Sequence, residues 1–175
     1  LSEIELVKMG KIVSQDVKKI GQAEIQKQFS EVLSNAIKAS LSAKDVDSTN
    51  YLNWISLGKI YESVSAPDLN IQGAFDSSEL AYKEALKRNP KNPSILIFLS
   101  RLSMTNGDLK KARDYAIDAI NIKKNYLDAY FILSQIEVAD NNIKGAIQSV
   151  TAASIIDPTN PAIFFQLGLL KYNSR

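Results

Sequence analysis

Apolar residues recur at helical spacing along most of this chain, and the pattern is clearest between Tyr51 and Tyr61. Trp54 is followed by Leu57, Gly58 and Tyr61 at steps of three, one and three residues, which places all four on one face of a helix. A glycine within a bulky face lets a second helix approach closely. The pattern therefore predicts a helix packed against a partner helix, with Trp54 as the largest side chain of the buried face.

The same pattern returns three times downstream, and the last two intervals are both 34 residues. The bulky position holds Trp54, Leu96, Tyr130 and Phe164. The leucine position holds Leu57, Leu99, Leu133 and Leu167, and the small position holds Gly58, Ser100, Ser134 and Gly168. Small residues also recur later in each unit, at Ser78, Ala112 and Ala146 and at Ala85, Ala119 and Ala153. Because independent positions share one period, the sequence predicts an internal repeat.

Each repeat is predicted to be a pair of helices. Gly73, Gly107 and Asn141 recur between the two halves of a unit, and glycine or asparagine can adopt the positive φ of a tight turn. Alanines in the second half allow the two helix backbones to pack closely. Between units, 89–93 and 157–161 each carry two prolines, which stop one helix and begin the next.

This combination of period, helix-turn-helix unit and residue types resembles the tetratricopeptide repeat family. The resemblance implies an all-α fold, a right-handed solenoid of antiparallel helix pairs. The predicted array covers 51–175, with repeats at 51–92, 93–126 and 127–160 and a partial repeat at 161–175. The first repeat departs from the family pattern because extra residues, at 63–72, separate its two helices.

Residues 1–50 are predicted to form an N-terminal helical hairpin that caps the array. Apolar spacing predicts one helix over 1–19, stopped by Gly21, and a second helix from Gln22 to residue 43. One continuous helix across Gly21 is the alternative. The polar run 44–50 ends the second helix, and the alanine register of 22–50 is also compatible with a degenerate repeat.

Composition and charge exclude several classes of function. The 175 residues include no histidine and no cysteine, which excludes histidine bases, disulfides, and zinc sites with sulfur or imidazole ligands. The sequence has no glycine-rich phosphate loop, so we predict no catalytic residue, no metal and no cofactor. A net charge of +2 argues against nucleic acid binding. No apolar run is long enough to span a bilayer, so we expect no direct membrane insertion by this fragment.

The resemblance implies that the first helices line a concave groove. Groove positions are the residue after each bulky position and the residue four further on. The predicted partner-binding residues are Ile55, Lys59, Ile97, Arg101, Phe131, Gln135 and Phe165. Such a surface suits an extended peptide or an amphipathic helix. The alternative is that the two phenylalanines pack neighbouring helices and the cations are solvated. Family members that grip a C-terminal carboxylate use a lysine where this chain has isoleucine or phenylalanine, so we do not expect that clamp.

Two other features point to contacts with partners. The inserted segment 63–72 either packs on the array or meets a partner, and the sequence leaves both possibilities open. The last helix, 161–172, is apolar nearly all round and lacks a second helix to cover it, which predicts self-association. Because the chain begins with Leu1 and stops within the pattern, we expect it to be a piece of a longer protein.

Taken together, these features predict a non-catalytic protein–protein interaction or scaffold module that binds a peptide or protein segment. The alternative rests on a looser resemblance of 53–61 and 164–170 to soluble accessory repeat domains of membrane-bound bacterial glycan polymerases or ligases. Apolar spans upstream of Leu1 would favour that alternative. RNA binding by a related helical repeat would need a basic groove, which the apolar groove residues speak against. Abundant lysine, isoleucine and asparagine indicate an AT-rich bacterial source.

Overall fold

The computed structural model describes residues 2–14, 21–65 and 71–174. Within these ranges the chain forms helices and no strands. The helices are α1 (Ser2–Val13), α2 (Gln22–Val46), α3 (Tyr51–Ser63), α4 (Ala74–Arg88), α5 (Pro93–Thr105), α6 (Leu109–Ile122), α7 (Leu127–Ala139), α8 (Ile143–Ile156) and α9 (Pro161–Asn173).

The helices fall into two compact units, Leu1–Pro90 and Lys91–Arg175. In the first unit, α3 pairs with α4, α2 packs on α3, and α1 packs on both α2 and α3. In the second unit, α5 pairs with α6 and α7 pairs with α8, while α6 packs on α7 and α8 packs on α9. The first helices of the two pairs, α5 and α7, also touch. The predicted helix pairs are therefore confirmed.

Short polar side chains begin the first helices of the repeats. Asn50, Asn92 and Asn160 each accept a hydrogen bond from the backbone N–H two residues later, at 3.0, 3.0 and 3.1 Å. Such caps satisfy donors that the first helical turn leaves unpaired. Proline follows at the first position of α5 and of α9, where its missing N–H costs nothing.

The turns within the pairs have the predicted backbone geometry. Gly73 and Gly107 adopt φ values of 77° and 79°, and Asn141 adopts 58°. Glycine has no Cβ to oppose this left-handed conformation, and asparagine tolerates it better than most residues. The residues with positive φ therefore recur 34 residues apart, at the turn inside each helix pair.

The small position of the repeat marks close contact between paired helices. Gly58 is buried in α3, and its carbonyl oxygen accepts a 2.9 Å hydrogen bond from the Ser78 hydroxyl of α4. Ser100 of α5 likewise donates to the carbonyl of Ala112 in α6, at 2.7 Å. The alanines Ala85, Ala112, Ala119, Ala146 and Ala153 are fully buried. Small residues therefore bring the backbones together, as the pattern predicts.

The N-terminal region differs in detail from the prediction. Gly21 has φ 85° and ψ 138°, so α2 begins after a non-helical residue and no continuous helix crosses it. The first helix reaches Val13, and the end of the predicted helix, 15–19, lies outside the described residues. At its other end α2 extends to Val46, three residues beyond the predicted end. The Asp47 carboxylate then accepts bonds from Thr49 and Asn50 and closes the turn.

The inserted segment packs on the first unit at its start. Val64 is buried in a cluster with Met9 of α1 and Ala74 of α4, and three partly buried residues of α2 lie against it: Phe29, Val32 and Leu33. Ile71, near the other end of the insertion, is exposed. Residues 66–70 lie outside the described residues. The apolar contact of Val64 thus links the insertion to α1 and α2.

Candidate functional site

A pocket of about 440 Å³ lies between α5 and α7 in the second unit. Its lining combines apolar rings, hydroxyls, an amide and charges of both signs. The lining residues are Ser94, Ile97, Phe98, Arg101, Tyr126, Asp128, Phe131, Ile132 and Gln135. A volume of this size can hold one or two side chains of a bound segment.

The repeat itself builds this pocket. The α5 residues that line it are Ser94, Ile97, Phe98 and Arg101, and the α7 residues are Asp128, Phe131, Ile132 and Gln135. The two sets lie 34 residues apart, position by position. Within each set the spacing is three, one and three residues, so each set is a single stripe on its helix. Because α5 and α7 are in contact, the two equivalent stripes line the same pocket.

One end of the pocket is polar. The hydroxyls of Tyr126 and Ser94 lie 3.0 Å apart, within hydrogen-bond distance. Partial burial raises the pKa of Tyr126, the hydrogen bond with Ser94 opposes this rise, and the nearby Asp128 carboxylate adds to it. The phenol therefore stays protonated at neutral pH and can offer a hydrogen bond to a ligand or to its neighbours.

The cationic part of the pocket rests on an aromatic ring. The Arg101 guanidinium carbon lies 5.3 Å from the centroid of the Phe98 ring, a cation–π distance, and Arg101 is exposed. Asp128, in the first turn of α7, is also exposed. The pocket thus presents both a positive and a negative group to an incoming segment.

Four of the seven predicted binding residues line this one pocket: Ile97, Arg101, Phe131 and Gln135. Ile97 is only 6% exposed and contributes mainly to its floor. Phe131 also packs against the buried cluster of Ala146, Val150 and Ile163, so it has the packing role of the alternative interpretation as well.

The other three predicted residues lie elsewhere. Ile55 and Lys59 belong to α3 in the first unit, where Ile55 is 8% exposed and Lys59 is half-buried. Phe165 lies on α9 and is 69% exposed. Their part in partner binding stays a prediction.

Sequence reasoning missed five lining residues, which are Ser94, Phe98, Tyr126, Asp128 and Ile132. The 34-residue interval relates Ser94 to Asp128 and Phe98 to Ile132, so the repeat carried a signal for these four. Tyr126 comes from the turn before α7 and belongs to neither stripe, which is why helical spacing does not find it.

A separate polar network connects α6, α7 and the turn that follows α7. Arg113 donates to the largely buried Glu137 at 2.7 Å and to Asp140 at 2.6 Å. Asn142 donates to the other Glu137 oxygen at 2.6 Å. These hydrogen bonds, first with Glu137 and then with Asp140, raise the pKa of Arg113. Because both oxygens of the Glu137 carboxylate accept hydrogen bonds from protein groups, we interpret the network as a structural link between α6 and α7.

The described ranges bring together no group of three or more acidic side chains suited to a metal ion. Among the helices in these ranges, none combines the length and apolar character needed to cross a membrane.

Successive helix pairs, the later ones at a 34-residue interval, and equivalent stripes that line one pocket define a helical-repeat protein. Residues 69–136 match the family model described as tetratricopeptide repeat. This part of the chain is therefore similar to the tetratricopeptide repeat family, and the predicted all-α fold of antiparallel helix pairs is confirmed.

Individual proteins show how far the similarity extends. The Sol locus transcriptional repressor of Clostridium acetobutylicum is 33% identical over 90 residues, which are 51% of this chain. The match spans only 28% of the length of that repressor.

Solved structures share the fold at low identity. A thermophilic tetratricopeptide protein from Thermus thermophilus matches 97% of this chain and 95% of its own, with a TM-score of 0.71 and 11% identity. MamA matches 86% of this chain and 83% of its own, with a TM-score of 0.66 and 19% identity. The first repeat domain of Spaghetti, bound to the HSP90 peptide SRMEEVD, matches 73% and 94%, with a TM-score of 0.59 and 17% identity.

Proposed function

We propose that this chain is a non-catalytic protein-interaction module that binds a peptide or protein segment along the first helices of its repeats. The α5–α7 pocket is the anchor of that surface. The observation that carries the proposal is the pairing of two equivalent stripes, which gives one pocket an apolar floor and a polar rim. Recognition sites for peptides commonly combine these two features, since the floor supplies affinity and the rim fixes orientation.

The chemistry of the pocket indicates what it would accept. The floor, from Ile97 and Phe131, suits an apolar side chain of the bound segment. Arg101 on one helix and Asp128 on the other can bond the carbonyl and the N–H groups of an extended backbone. The Spaghetti domain, bound to its HSP90 peptide, is an example of this fold holding a peptide. The positions where carboxylate-binding members of the family carry lysine hold isoleucine or phenylalanine in this chain. We therefore expect a bound segment to be anchored by its side chains rather than by its C-terminal carboxylate.

A peptide-display selection against the whole chain tests the proposal. The tightest selected peptide is labelled and its Kd is measured by fluorescence anisotropy for the wild type and for an Arg101→Ala, Gln135→Ala double variant. Both residues are exposed and line the pocket, one from α5 and one from α7, so their loss leaves the core intact. We expect binding to weaken by at least about tenfold, as for loss of interface anchors.

The matched control is Lys144→Ala with Gln148→Ala. It removes one cation and one amide four residues apart, from exposed positions of α8 that do not line the α5–α7 pocket. Its Kd should stay within about twofold of the wild type, the usual result for truncating residues outside the hot spot. Equal Kd values for both double variants and the wild type would show that the pocket is not the anchor.

One wider assignment stays a prediction, and a second is not made. The resemblance to accessory domains of membrane glycan polymerases or ligases is tested by the gene sequence that precedes Leu1. The curated relative is named a transcriptional repressor, but the match spans 28% of its length, so its activity is not carried over to this chain.

A further inference from the structure

The last helix exposes a continuous apolar face. Phe164, Phe165, Leu169 and Tyr172 of α9 are 48, 69, 48 and 75% exposed. On a helical wheel they cover one arc, with Gly168 inside it, while Ile163 and Leu170 on the other side are buried against α8. An apolar arc of this extent is more than the scattered exposed side chains of an ordinary surface.

The repeat shows what this face is built to contact. Gly168 is equivalent to Gly58 of α3 and to Ser100 of α5. At Gly58 the ring of Tyr82 from α4 lies against the backbone, and Ser100 donates to Ala112 of α6. At Gly168, apart from the adjoining residues and backbone of its own helix, no atom lies within 4 Å of the position that a Cβ would take. The Gly168 position of α9 is therefore open, whereas a second helix covers the equivalent position in α3 and in α5.

The stripe is also symmetric about its glycine. Phe164 lies four residues before Gly168, and Tyr172 lies four residues after it. If a second α9 packs antiparallel about a two-fold axis at Gly168, each Phe164 faces the Tyr172 of the other copy and the glycines meet at the centre. A two-fold interface requires this kind of self-complementary patch. Antiparallel packing also matches the arrangement within each helix pair and sets the helix dipoles in opposition.

We propose that two copies of this chain associate through α9, antiparallel and centred on Gly168. The four exposed side chains offer roughly 500 Å² per copy, so the pair would bury about 1,000 Å² in total, at the lower limit for a specific interface. The one charged residue of Pro161–Asn173, Lys171, lies off the centre, so the two copies do not oppose like charges directly. Because this area is at the lower limit for a specific interface, we expect a weak dimer whose population rises with concentration.

Sedimentation velocity of the whole chain between 1 and 300 µM tests the association. The wild-type mass should rise with concentration and level off at twice the monomer mass. Gly168→Leu should stay monomeric throughout, because the leucine fits freely on its own helix but separates two helices that meet there. Gly10→Leu is the matched control, since Gly10 is also a helical glycine with no atom within 4 Å. It should dimerise like the wild type.

Three outcomes would overturn the proposal. They are a wild-type chain that stays monomeric at 300 µM, a Gly168→Leu chain that dimerises as the wild type does, and a mass that grows past the dimer without levelling off. Circular dichroism of each variant confirms that the helices are intact. A failure here leaves the peptide site between α5 and α7 untouched, because that site is assayed by peptide affinity at submicromolar chain concentration.

Cross-linking tests the orientation. The chain has no cysteine, so introduced thiols pair only with each other. In the antiparallel pair, Phe164→Cys of one copy faces Tyr172→Cys of the other, whereas two identical variants hold their thiols about 12 Å apart along the axis, too far for a disulfide. Oxidising a mixture of the two variants should give a disulfide dimer, and either variant alone should give little. Efficient cross-linking of each variant alone would indicate a parallel pair and overturn the proposed geometry.

Discussion

Gly58 and Gly168 occupy the same position of the repeat, in α3 and α9, yet their surroundings are opposite. A Cβ on Gly58 would lie 2.5 Å from Cε1 of Tyr82, a distance that side chains do not tolerate. A Cβ on Gly168 would meet nothing within 4 Å. The position in the repeat therefore determines which face of the helix a residue occupies, and the neighbouring helix determines whether that face is buried.

The comparison shows when a helical glycine is useful. Glycine inside a helix costs about 1 kcal/mol relative to alanine. In α3 this cost is offset because the fully buried Tyr82 lies directly against the backbone and its hydroxyl donates to Glu62. In α9 no side chain packs against Gly168, so this cost is not offset within one copy of the chain. Glycine is thus stabilising in α3, where it allows the close contact with Tyr82. In α9 it is destabilising unless a second helix packs against it.

Removing the ring that covers Gly58 should have the largest effect. Tyr82→Ala deletes a fully buried ring and leaves a cavity between α3 and α4, so we expect a loss of about 3–5 kcal/mol in the free energy of unfolding. Trp54, the chain's only tryptophan, lies on α3, and its fluorescence during urea titration reports this unit. Tyr82→Phe, which keeps the ring and removes only the hydroxyl, should cost about 1 kcal/mol. Equal losses for the two variants would contradict a packing role for the ring.

Adding one methyl group at Gly58 should have the next largest effect. Gly58→Ala pushes a Cβ against the fully buried Tyr82 ring and should cost about 2 kcal/mol despite the better helix propensity of alanine. The same urea titration measures it.

A double variant shows whether the ring is the cause. In a Tyr82→Ala background the obstacle is gone, so Gly58→Ala should become neutral or stabilising, as expected at an open glycine. If Gly58→Ala costs as much without the ring as with it, then the clash with Tyr82 is not the source of the loss.

Much of this fold could be predicted because the repeat places the same signals at the same interval. Gly73, Gly107 and Asn141 mark the turns, and the buried alanines mark the paired faces, as their spacing indicates. Local propensity and packing agree at these positions. Sequence alone could not find the burial of Val64, since its partner Met9 lies on a distant helix.

Trp54 shows the limit of the pattern. Its spacing predicts that Trp54 is the largest side chain of the buried helix face, whereas the structure leaves this residue half-buried. Its indole N–H donates to the Ser48 carbonyl at 2.9 Å, and the Arg88 guanidinium lies 4.6 Å from the ring centroid. The ring therefore bridges a turn and the end of α4 through contacts far apart in the chain. Repeat spacing carries no information about such neighbours.

The candidate site was predictable to a similar degree. Arg101 and Gln135 were found because they share one position of the repeat, and the structure brings both to the same pocket. Tyr126 was not found, because it reaches the pocket from a turn whose direction depends on how α6 packs on α7. Periodicity predicts which side chains lie on a helix face. It does not predict what a connecting segment adds to that face.

The smallest predicted effect comes from the exposed member of the glycine pair. Gly168→Ala meets no atom of its own chain and improves helix propensity, so the dilute monomer should gain about 0.5–1 kcal/mol in its free energy of unfolding, measured by circular dichroism during urea titration at 1 µM. At 300 µM the gain should shrink, because a methyl group at the centre of the α9 pair weakens the association that stabilises the wild type. An equal gain at both concentrations would mean that Gly168 is open in the concentrated protein too. A loss at 1 µM would mean that the glycine face of α9 is already covered in the monomer, and the contrast with Gly58 would then disappear.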